Sequence, residues 1–398
     1  MLAVHLLIIS RCPPVPLHLG DRLILYHLAR QLRVRGWTLD LLAFYQDDDD
    51  PALFESSPAR AFFRYAHLIR ETPRTQWQYL QRALLPATRF PARAEAAWSH
   101  EMWRAIEQRL AGERYDAIQL LGGVQVYEFA NALGGQPAII TPYESYSLYL
   151  KRQIASGQGA ALLTLQRQLA RLYEGFMFTP YARTVVVSEQ DRAELQDIHP
   201  ALSVEVIPNG INLDDWQPLP VQREPATLIF TGNLDYAPNR DAALYLAREV
   251  LPAVRRSVPA ARLLLVGNAP PPEVQALTSD HVVVTGRVED MRPYLARATL
   301  YVCPLRFGAG IKNKVLEALA MGCPVIATPL SADGIAVRDG HDIVLVPADQ
   351  FADRVVSLLN DARLRQALSA NGRALITARY DWVQVADAYE RLYAAVGR

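Results

Sequence analysis

Short apolar runs alternate with longer amphipathic segments along the first half of the chain. The pattern predicts a helix from about Asp21 to Arg35, with Asp21 as its N-cap and Gly36 as its C-cap. Apolar runs typical of buried strands lie at residues 3–9, 38–44, 115–121, 138–141, 184–188 and 204–207. Because these runs alternate with helices, this half is predicted to form a parallel sheet covered on both faces. Residues 52–115 are helical and irregular in pattern and are predicted to be an insertion.

The same alternation starts again in the second half. Its apolar runs predict strands at residues 227–231, 262–266, 281–285, 300–304, 325–327 and 343–346. A proline-containing stretch at 214–226 is typical of a linker. We therefore predict an α/β protein with two Rossmann-like domains, 1–213 and 227–378. A last helix at 379–398 either stays with the second domain or crosses back to the first. Ligands bind such sheets at the carboxyl ends of the strands, so the parallel sheets are expected to face an interdomain cleft.

Composition and charge exclude several classes of protein. The 398 residues include 41 Lys plus Arg and 41 Asp plus Glu, so the net charge gives no argument for nucleic-acid binding. The three cysteines form neither a disulfide framework nor a metal-binding spacing, which indicates a reducing, cytoplasmic setting. No apolar run approaches the roughly 18 residues that cross a bilayer. The first ten residues lack the basic start of a signal peptide and are predicted to form a buried strand.

The stretch from residue 301 to 329 carries the strongest chemical signal. It holds two of the chain's three lysines, Lys312 and Lys314, beside Gly308 and Gly310. The order of strand, glycine loop, helix at about 311–320 and second strand predicts a βαβ unit. A glycine-rich turn lets backbone N–H groups approach an anion, and the helix N-terminus adds about half a positive charge. The sequence therefore predicts an anion site to which the lysines add full charges.

The two lysines are expected to differ in their access to that anion. They are two positions apart, about 200° around a helix, so both cannot face one ligand from within it. We predict that Lys314 is the stronger candidate and that Lys312 reaches the ligand only from the loop. For each lysine, a solvated surface position is the alternative.

Four segments together resemble one enzyme family. They are VIPNGIN at 206–212, FTGNLDYAPN at 230–239, LLLVGNAPP at 263–271, and the long segment 286–329. They are similar to family-4 glycosyltransferases of the GT-B fold, including the sugar transferases of bacterial exopolysaccharide and glycolipid assembly. The resemblance is strong over about 204–380 and weaker before it. It implies transfer of a sugar from a nucleotide-diphosphate donor to a glycan or lipid-linked hydroxyl acceptor, with retention and without a metal or other cofactor.

The resemblance also implies roles for the residues of the glycine loop and its helix. Glu317 matches the second acid of the family's E-x7-E motif, which accepts hydrogen bonds from the ribose hydroxyls of the donor. The alternative is an acid near a helix start, paired with Lys314. Ala309 stands where the motif has its first acid, which leaves the contacts to the sugar open. Lys314 and Lys312 are the candidates that neutralise the donor diphosphate.

The remaining donor-binding candidates lie mostly at the ends of predicted strands. Gly286, Arg287 and Val288 match the loop that lines the base in the family. Asn233 replaces a basic residue that many relatives have, and a plain strand-to-helix turn explains it equally well. The other candidates in this group are Gly232, Gly267, Arg306, Gly308, Gly310 and Asn313.

In the first half, the candidate site follows the first predicted strand. Gly20 allows close backbone approach on the first domain's side of the cleft, where the reacting sugar and the acceptor are expected to meet. Asp21 is a candidate residue at the same place. The alternative for Asp21 is the helix N-cap. Tyr143 and Glu144 are weaker candidates for the same side. Asp47–Asp50 contains the DxD pattern of metal-dependent glycosyltransferases, but four acids before a proline are more typical of a solvated turn.

Residues 52–115 contain ten Arg and six Glu, interleaved with aromatic residues. This composition suits peripheral contact with anionic lipid headgroups, and ordinary helix packing explains it almost as well. Two other functions are kept as alternatives. Nucleotide-sugar 2-epimerases share the fold, and Ala309 is compatible with a non-catalytic protein that binds nucleotide sugars.

Overall fold

The computed structural model describes residues 4–17, 20–155, 160–308 and 310–397. These residues form two compact units. The first comprises Met1–Asn209 together with Trp382–Arg398, and the second comprises Gly210–Asp381.

The first unit is built on a parallel sheet that holds seven strands among the described residues, in the order β3-β2-β1-β4-β5-β6-β7. The strands are β1 (His5–Ser10), β2 (Thr38–Tyr45), β3 (Tyr65–Arg70), β4 (Ala117–Leu121), β5 (Ala138–Tyr143), β6 (Arg183–Val186) and β7 (Val204–Val206). The α-helices between them are α1 (Gly20–Val34), α2 (Pro51–Glu55), α3 (Gln76–Leu84), α4 (His100–Gly112), α5 (Tyr146–Ala155), α6 (Ala160–Met177) and α7 (Glu189–Ile198). Short 3₁₀ turns occupy Pro58–Phe62, Pro86–Thr88, Ala94–Ala96 and Tyr127–Leu133.

Strand β1 explains why this sheet is covered on both faces. Successive side chains of a strand point to opposite faces. Leu7 and Ile9 lie in one apolar core, and Leu6 and Ile8 lie in the other. All four are fully buried. The continuous apolar run of β1 therefore supplies side chains to both apolar cores, as expected of a parallel strand that is buried on both faces.

The prediction that residues 52–115 form a helical insertion is wrong in one respect. Tyr65–Arg70 forms β3, which pairs with β2 and makes the edge of the sheet. An edge strand needs no continuous apolar run, and β3 carries His67 and Arg70 among its apolar residues. The helices of this region still pack onto the unit, since Trp103 of α4 is buried in the core.

The second unit has its own parallel sheet, with six strands among the described residues in the order β10-β9-β8-β11-β12-β13. The strands are β8 (Thr227–Thr231), β9 (Arg262–Val266), β10 (Val282–Val284), β11 (Leu300–Cys303), β12 (Val325–Ala327) and β13 (Val344–Leu345). The α-helices are α8 (Ala237–Tyr245), α9 (Leu251–Ser257), α10 (Pro272–Gln275), α11 (Arg292–Arg297), α12 (Asn313–Ala320), α13 (Phe351–Asn360) and α14 (Ala362–Arg379). A π-helical turn at Leu246–Val250 joins α8 to α9, and 3₁₀ turns lie at Pro329–Ala332 and Ala348–Gln350. The predicted pair of parallel sheets is confirmed.

The stretch predicted as a linker, residues 214–226, belongs to the second unit. The Arg223 guanidinium donates to the carbonyls of Ala298, at 2.6 Å, and Gly322, at 2.7 Å. The Glu224 N–H donates to the carbonyl of Arg297 at 2.7 Å. These polar residues satisfy carbonyl groups of the unit, whereas the boundary between the units falls earlier, after Asn209. The proline-containing composition of residues 214–226 therefore predicted a linker, whereas this stretch packs against the rest of the second unit.

The last helix, α15 (Trp382–Val396), belongs to the first unit. Its Glu390 accepts hydrogen bonds from Trp37 Nε1, at 2.7 Å, and from the Arg35 guanidinium, at 2.5 Å. Trp382 stacks on His27 of α1 with ring centroids 5.1 Å apart. Helix α15 thus packs against α1 and the residues that follow it in the first unit. None of the helices in the described ranges is long and apolar enough to cross a membrane.

Candidate functional site

Two glycines bring the loops after β8 and β9 into direct backbone contact. Gly232 has φ +149° and Gly267 has φ +155°. A Cβ atom on Gly267 would lie 1.8 Å from the carbonyl oxygen of Gly232, which no side chain tolerates. The Gly232 N–H donates to the carbonyl of Val266 at 3.1 Å. Both positions therefore require glycine, and they fix the backbone at the carboxyl edge of the second sheet.

The ammonium group of Lys314 lies at this edge, against Gly232. Its Nζ donates to Asn239 Oδ1 and lies 4.8 Å from the centroid of the Phe230 ring. A Cβ atom on Gly232 would lie 3.0 Å from that Nζ. Lys314 is partly buried, and the loss of hydration lowers its pKa. The predicted lysine and the predicted strand-end glycine thus meet.

Lys312 lies in the loop, at the N-cap position of α12. This is the placement from which we expected it to reach the ligand. Its side chain nevertheless turns inward. Lys312 is 9% exposed, and its Nζ donates to the carbonyl of Gly310. The charge of Lys312 therefore contributes to the shape of its own loop, and the cation nearest to Gly232 is Lys314.

Glu317 follows Lys314 by three residues on α12, which puts both on one helix face. It is partly buried, and no hydrogen bond from another described residue reaches its carboxylate. Burial raises the pKa of Glu317 to about 7, although the charge of Lys314 acts in the opposite direction. An acid without hydrogen-bond donors around it retains the capacity to accept them from a ligand.

The beginning of the loop is held by helix α8. Arg306 makes two hydrogen bonds to the carboxylate of Asp241, at 2.8 and 2.5 Å, and lies 5.2 Å from the centroid of the Tyr245 ring. Gly308, with φ +123°, lies against Pro238. Arg306, predicted as a donor-binding cation, is thus already engaged with an acid. Ala309 lies outside the described residues.

The other predicted donor-binding residues lie in the loops that follow the strands of this sheet and at the start of α12. Gly286, with φ +67°, follows β10 and leads to an exposed Arg287 and a partly buried Val288. Gly310 is buried in the glycine loop with φ +69°, and Asn313 is the first residue of α12. Their roles stay predictions.

Asn239 is the site residue that sequence reasoning missed. Its side chain is 5% exposed and contacts both Lys314 and the carbonyl of Asn233, the latter through Nδ2 at 2.8 Å. The side chain of Asn233 is itself exposed, with its Oδ1 accepting from the N–H of Asp235 at 3.2 Å. The sequence did contain one signal for Asn239. This residue follows Pro238 in the first turn of α8, the helix directly after the Gly232 loop.

In the first unit, Gly20 is the first residue of α1 and is exposed, so the prediction that Asp21 is the N-cap is wrong. Asp21 lies in the first turn and accepts hydrogen bonds from Arg11 Nε, at 2.8 Å, and Cys12 Sγ, at 3.4 Å. Burial opposes ionisation of Asp21, but the Arg11 guanidinium outweighs it and lowers the pKa. Arg11 also lies 5.4 Å from the centroid of the Tyr143 ring.

The acids of the DxD pattern have structural partners. Asp47 pairs with Arg70 at 2.7 Å, and Asp49 pairs with Arg22 at 2.5 Å. Asp50 caps helix α2. Within the ranges that the structure describes, no group of three His, Cys, Asp or Glu residues is placed to hold a metal ion.

Comparison with known proteins supports the family resemblance over both units. The family model described as Glycosyltransferase Family 4 matches residues 23–215, and the model described as Glycosyl transferases group 1 matches residues 225–361. A phosphatidyl-myo-inositol mannosyltransferase of Mycobacterium leprae is 32% identical over 202 residues, which cover 48% of this chain and 53% of that protein. A GDP-mannose-dependent alpha-(1-6)-phosphatidylinositol monomannoside mannosyltransferase of Mycobacterium tuberculosis is 30% identical over 210 residues, covering 46% and 54%. The chain thus spans about half the length of these curated relatives.

Solved structures of similar fold cover nearly the whole chain. Sucrose-phosphate synthase from Thermosynechococcus elongatus has a TM-score of 0.71 at 22% identity, with 98% of this chain and 100% of that chain covered. HepE from Anabaena, solved in complex with UDP and glucose, has a TM-score of 0.68 at 14% identity, with 98% and 99% covered. The fold is therefore GT-B, and the chain belongs to the family-4 glycosyltransferases.

Proposed function

We propose that this protein is a hexosyltransferase that moves a sugar from a nucleotide-diphosphate donor to a hydroxyl group of a glycan or lipid-linked acceptor, with retention of the anomeric configuration. The observation that carries the proposal is the position of Lys314, whose ammonium lies against Gly232 in the loop after β8, with Glu317 three residues later on the same helix. The mannosyltransferase relatives and the UDP complex of HepE support a nucleotide-sugar donor and a glycolipid acceptor.

The diphosphate of the donor lies, in this proposal, between Lys314 and the N-terminal amides of α12. The leaving diphosphate gains negative charge as the glycosidic bond breaks, and fixed N–H groups with a partly desolvated ammonium stabilise that charge. Gly232 lets the ammonium of Lys314 lie close to the backbone, because a Cβ atom at this position would be only 3.0 Å from its Nζ. This arrangement needs no cofactor and no metal ion.

Glu317 binds the ribose of the donor. Its carboxylate has no hydrogen bond from another described residue, so two neighbouring hydroxyl groups find an acceptor that is not already engaged. The loop of Gly286, Arg287 and Val288 lines the base, and Gly20 and Asp21 contribute on the acceptor side.

The test begins with binding and continues with turnover. UDP-, GDP- and ADP-sugars are screened for a rise in melting temperature, since a ligand that binds only the folded state stabilises it by mass action. The stabilising donor is then incubated with and without acceptor lipids or glycans, and the products are analysed. Conversion of the donor alone into its 2-epimer identifies an epimerase, and binding without turnover identifies a non-catalytic protein.

The metal-independent part of the proposal has its own test. Transfer is expected to continue in EDTA, because amides and Lys314 hold the diphosphate. Loss of transfer in EDTA that Mn²⁺ restores, and that also follows mutation of Asp47 and Asp49, contradicts it.

We further propose that the protein works on the cytoplasmic face of a membrane, which it contacts through α3 and α6. These helices pack together, with Tyr173 donating to the carbonyl of Tyr79. Apolar side chains on both helices, and that of Leu85 directly after α3, are exposed by 37% to 76%: Trp77, Leu84, Leu85, Leu162, Leu165, Leu169 and Leu172. Of the two helices, α3 lies in the arginine-rich stretch 52–115 and α6 lies outside it. Apolar helix faces beside an arginine-rich stretch suit an anionic bilayer surface.

Sedimentation with vesicles tests this contact. The wild-type protein is expected to bind vesicles with phosphatidylglycerol more strongly than neutral vesicles, and Trp77→Ser with Leu84→Ser is expected to reduce binding. Val34→Ser is the matched control, since Val34 is 78% exposed on α1, away from this surface. Equal binding by the double variant and the wild type contradicts the proposal.

A further inference from the structure

The first turns of helix α8 hold the glycine loop at three places. Asp241 binds Arg306 at the start of the loop, and Pro238 lies against Gly308, with 3.6 Å between its Cγ and a Cβ built on that glycine. Asn239 binds Lys314 just after the loop. Helix α8 therefore determines where the loop and its lysine lie.

Asn239 is oriented by its second hydrogen bond. Its Nδ2 donates to the carbonyl of Asn233 at 2.8 Å, and a carbonyl oxygen can only accept. The other atom of the amide, Oδ1, must therefore face Lys314, as it does. Since the side chain is 5% exposed, packing leaves it little freedom to turn away.

We propose that Asn239 is a positioning residue that holds the ammonium of Lys314 against Gly232, ready for the donor diphosphate. The inference rests on the proposed function. A lysine side chain has four rotatable bonds, so an unheld ammonium spreads over many positions. One hydrogen bond to Asn239 leaves two N–H donors of the ammonium for an anion.

The neutrality of the amide is the central physical point. An amide oxygen orients the ammonium without cancelling its charge, whereas a carboxylate at the same position orients it and neutralises it. By contrast, Arg306 is held by an acid, Asp241, so its charge is already compensated. The two cations flanking the loop are thus held in two different ways: an acid fixes Arg306, whereas a neutral amide fixes Lys314 on the helix that also carries Glu317.

The test uses four variants: Asn239→Ala, Asn239→Asp, Lys314→Ala, and the double variant of Asn239→Ala with Lys314→Ala. Calorimetry measures the affinity for UDP and for GDP, and melting temperature reports folding. Asn239→Ala is expected to weaken nucleotide binding about tenfold, because the ammonium that Asn239 no longer holds must then be ordered when the anion binds. In the Lys314→Ala background the same change is expected to have less than about a twofold effect, because Asn239 acts through the lysine.

Arg240→Ala is the matched control. Arg240 is the next residue on α8 and contacts Glu273 at 3.6 Å, outside the site, so its replacement is expected to leave nucleotide affinity unchanged. An equal loss from Asn239→Ala with and without Lys314 means that Asn239 binds the nucleotide itself or only supports the fold, and the inference is then wrong. Unchanged affinity in Lys314→Ala contradicts the proposed function instead.

Asn239→Asp keeps the inference testable if the alanine variant does not fold. The variant has nearly the same shape but no longer donates to the carbonyl of Asn233. Its carboxylate adds to the Cys303 and Glu317 side chains that already act on Lys314, and so raises the pKa of Lys314. We expect weaker nucleotide binding together with a shift of the alkaline limb of the affinity–pH profile to higher pH. A purely structural role does not move that limb, so an unmoved limb overturns the inference.

Discussion

Two acids, one in each unit, differ in the groups that surround them. Glu174 in α6 and Glu317 in α12 both have a pKa that burial raises to about 7. Glu174 accepts hydrogen bonds from the N–H of Tyr146, at 2.7 Å, and from Ser145 Oγ, at 3.2 Å, at the start of α5. Glu317 accepts none from other described residues and lies beside Lys314.

The comparison shows that a raised pKa does not by itself identify a functional acid. Desolvation raises the pKa of any buried carboxyl group, whether or not the group acts on a ligand. The difference lies in the hydrogen-bond partners. Glu174 is occupied in holding the first turn of α5, whereas the acceptor capacity of Glu317 is available. We therefore expect loss of Glu174 to affect stability and loss of Glu317 to affect donor binding.

The largest effect is expected at the lysine beside Glu317. Lys314→Ala is expected to lower turnover about a hundredfold and donor affinity less, because the diphosphate carries more charge in the transition state than in the bound donor. Lys314→Arg is expected to restore only part, since a planar guanidinium does not fit a site shaped for an ammonium. Steady-state kinetics measure both parameters.

Lys312→Ala is the comparison for that experiment. Because Lys312 turns back to the carbonyl of Gly310, its loss is expected to be milder in turnover and to appear partly as lower stability. If Lys312→Ala is inactive while Lys314→Ala retains near wild-type turnover, Lys312 is the functional cation. If neither variant loses activity, the charge argument itself fails.

The next effect is on donor affinity. Glu317→Gln is expected to weaken donor binding about tenfold, because a neutral amide accepts hydrogen bonds from ribose hydroxyls less strongly than a carboxylate. Stability at pH 8 is expected to stay the same or rise, since the variant no longer buries a charge. Calorimetry with the donor and urea unfolding measure the two effects, and an unchanged donor affinity removes Glu317 from the site.

The opposite result is expected at Glu174. Glu174→Ala leaves the N–H of Tyr146 without its acceptor and is expected to lower the free energy of unfolding by about 1–3 kcal/mol. Donor affinity is expected to stay unchanged, because Glu174 lies in the other unit. Urea unfolding at pH 6 and calorimetry test this pair of outcomes, and a loss of donor affinity without a loss of stability contradicts the comparison.

The sequence predicted the repeated parts of this protein well and the unique contacts poorly. Continuous apolar runs such as Leu6–Ile9 report burial on both faces of a sheet, so most strands were found. Edge strand β3 was missed because His67 and Arg70, one on each face, interrupt its apolar run. The glycine loop and its lysines were recognisable because their spacing is local.

Asn239 was missed for a different reason. Its role depends on Lys314, 75 residues later in the chain, and on the amide orientation that Asn233 imposes. The local sequence pattern around Asn239 reveals neither the contact with Lys314 nor the orientation of the amide. The same limit explains the failure at 214–226, where Arg223 finds its acceptors on distant loops of the second unit.

The last expected effect is a pH dependence that separates the two acids. Both carboxyl groups have a folded-state pKa near 7, above the value of 4.5 of an unperturbed glutamate. Each contribution to stability is therefore fully present below about pH 4.5 and is lost as the pH rises through 7, on the order of 1–3 kcal/mol per group. Donor affinity is expected to change in the opposite direction over the same window, because only the ionised Glu317 accepts two strong hydrogen bonds.

Unfolding in urea and donor calorimetry at pH 5, 6, 7 and 8 measure the two trends together. Glu174→Gln is expected to reduce the slope of the stability profile and leave the affinity profile unchanged. Glu317→Gln is expected to reduce the slope of the stability profile as well and to flatten the affinity profile. An affinity profile that stays the same in Glu317→Gln shows that another group binds the donor hydroxyls. The two acids, alike in pKa, then differ only in their hydrogen bonds and not in function.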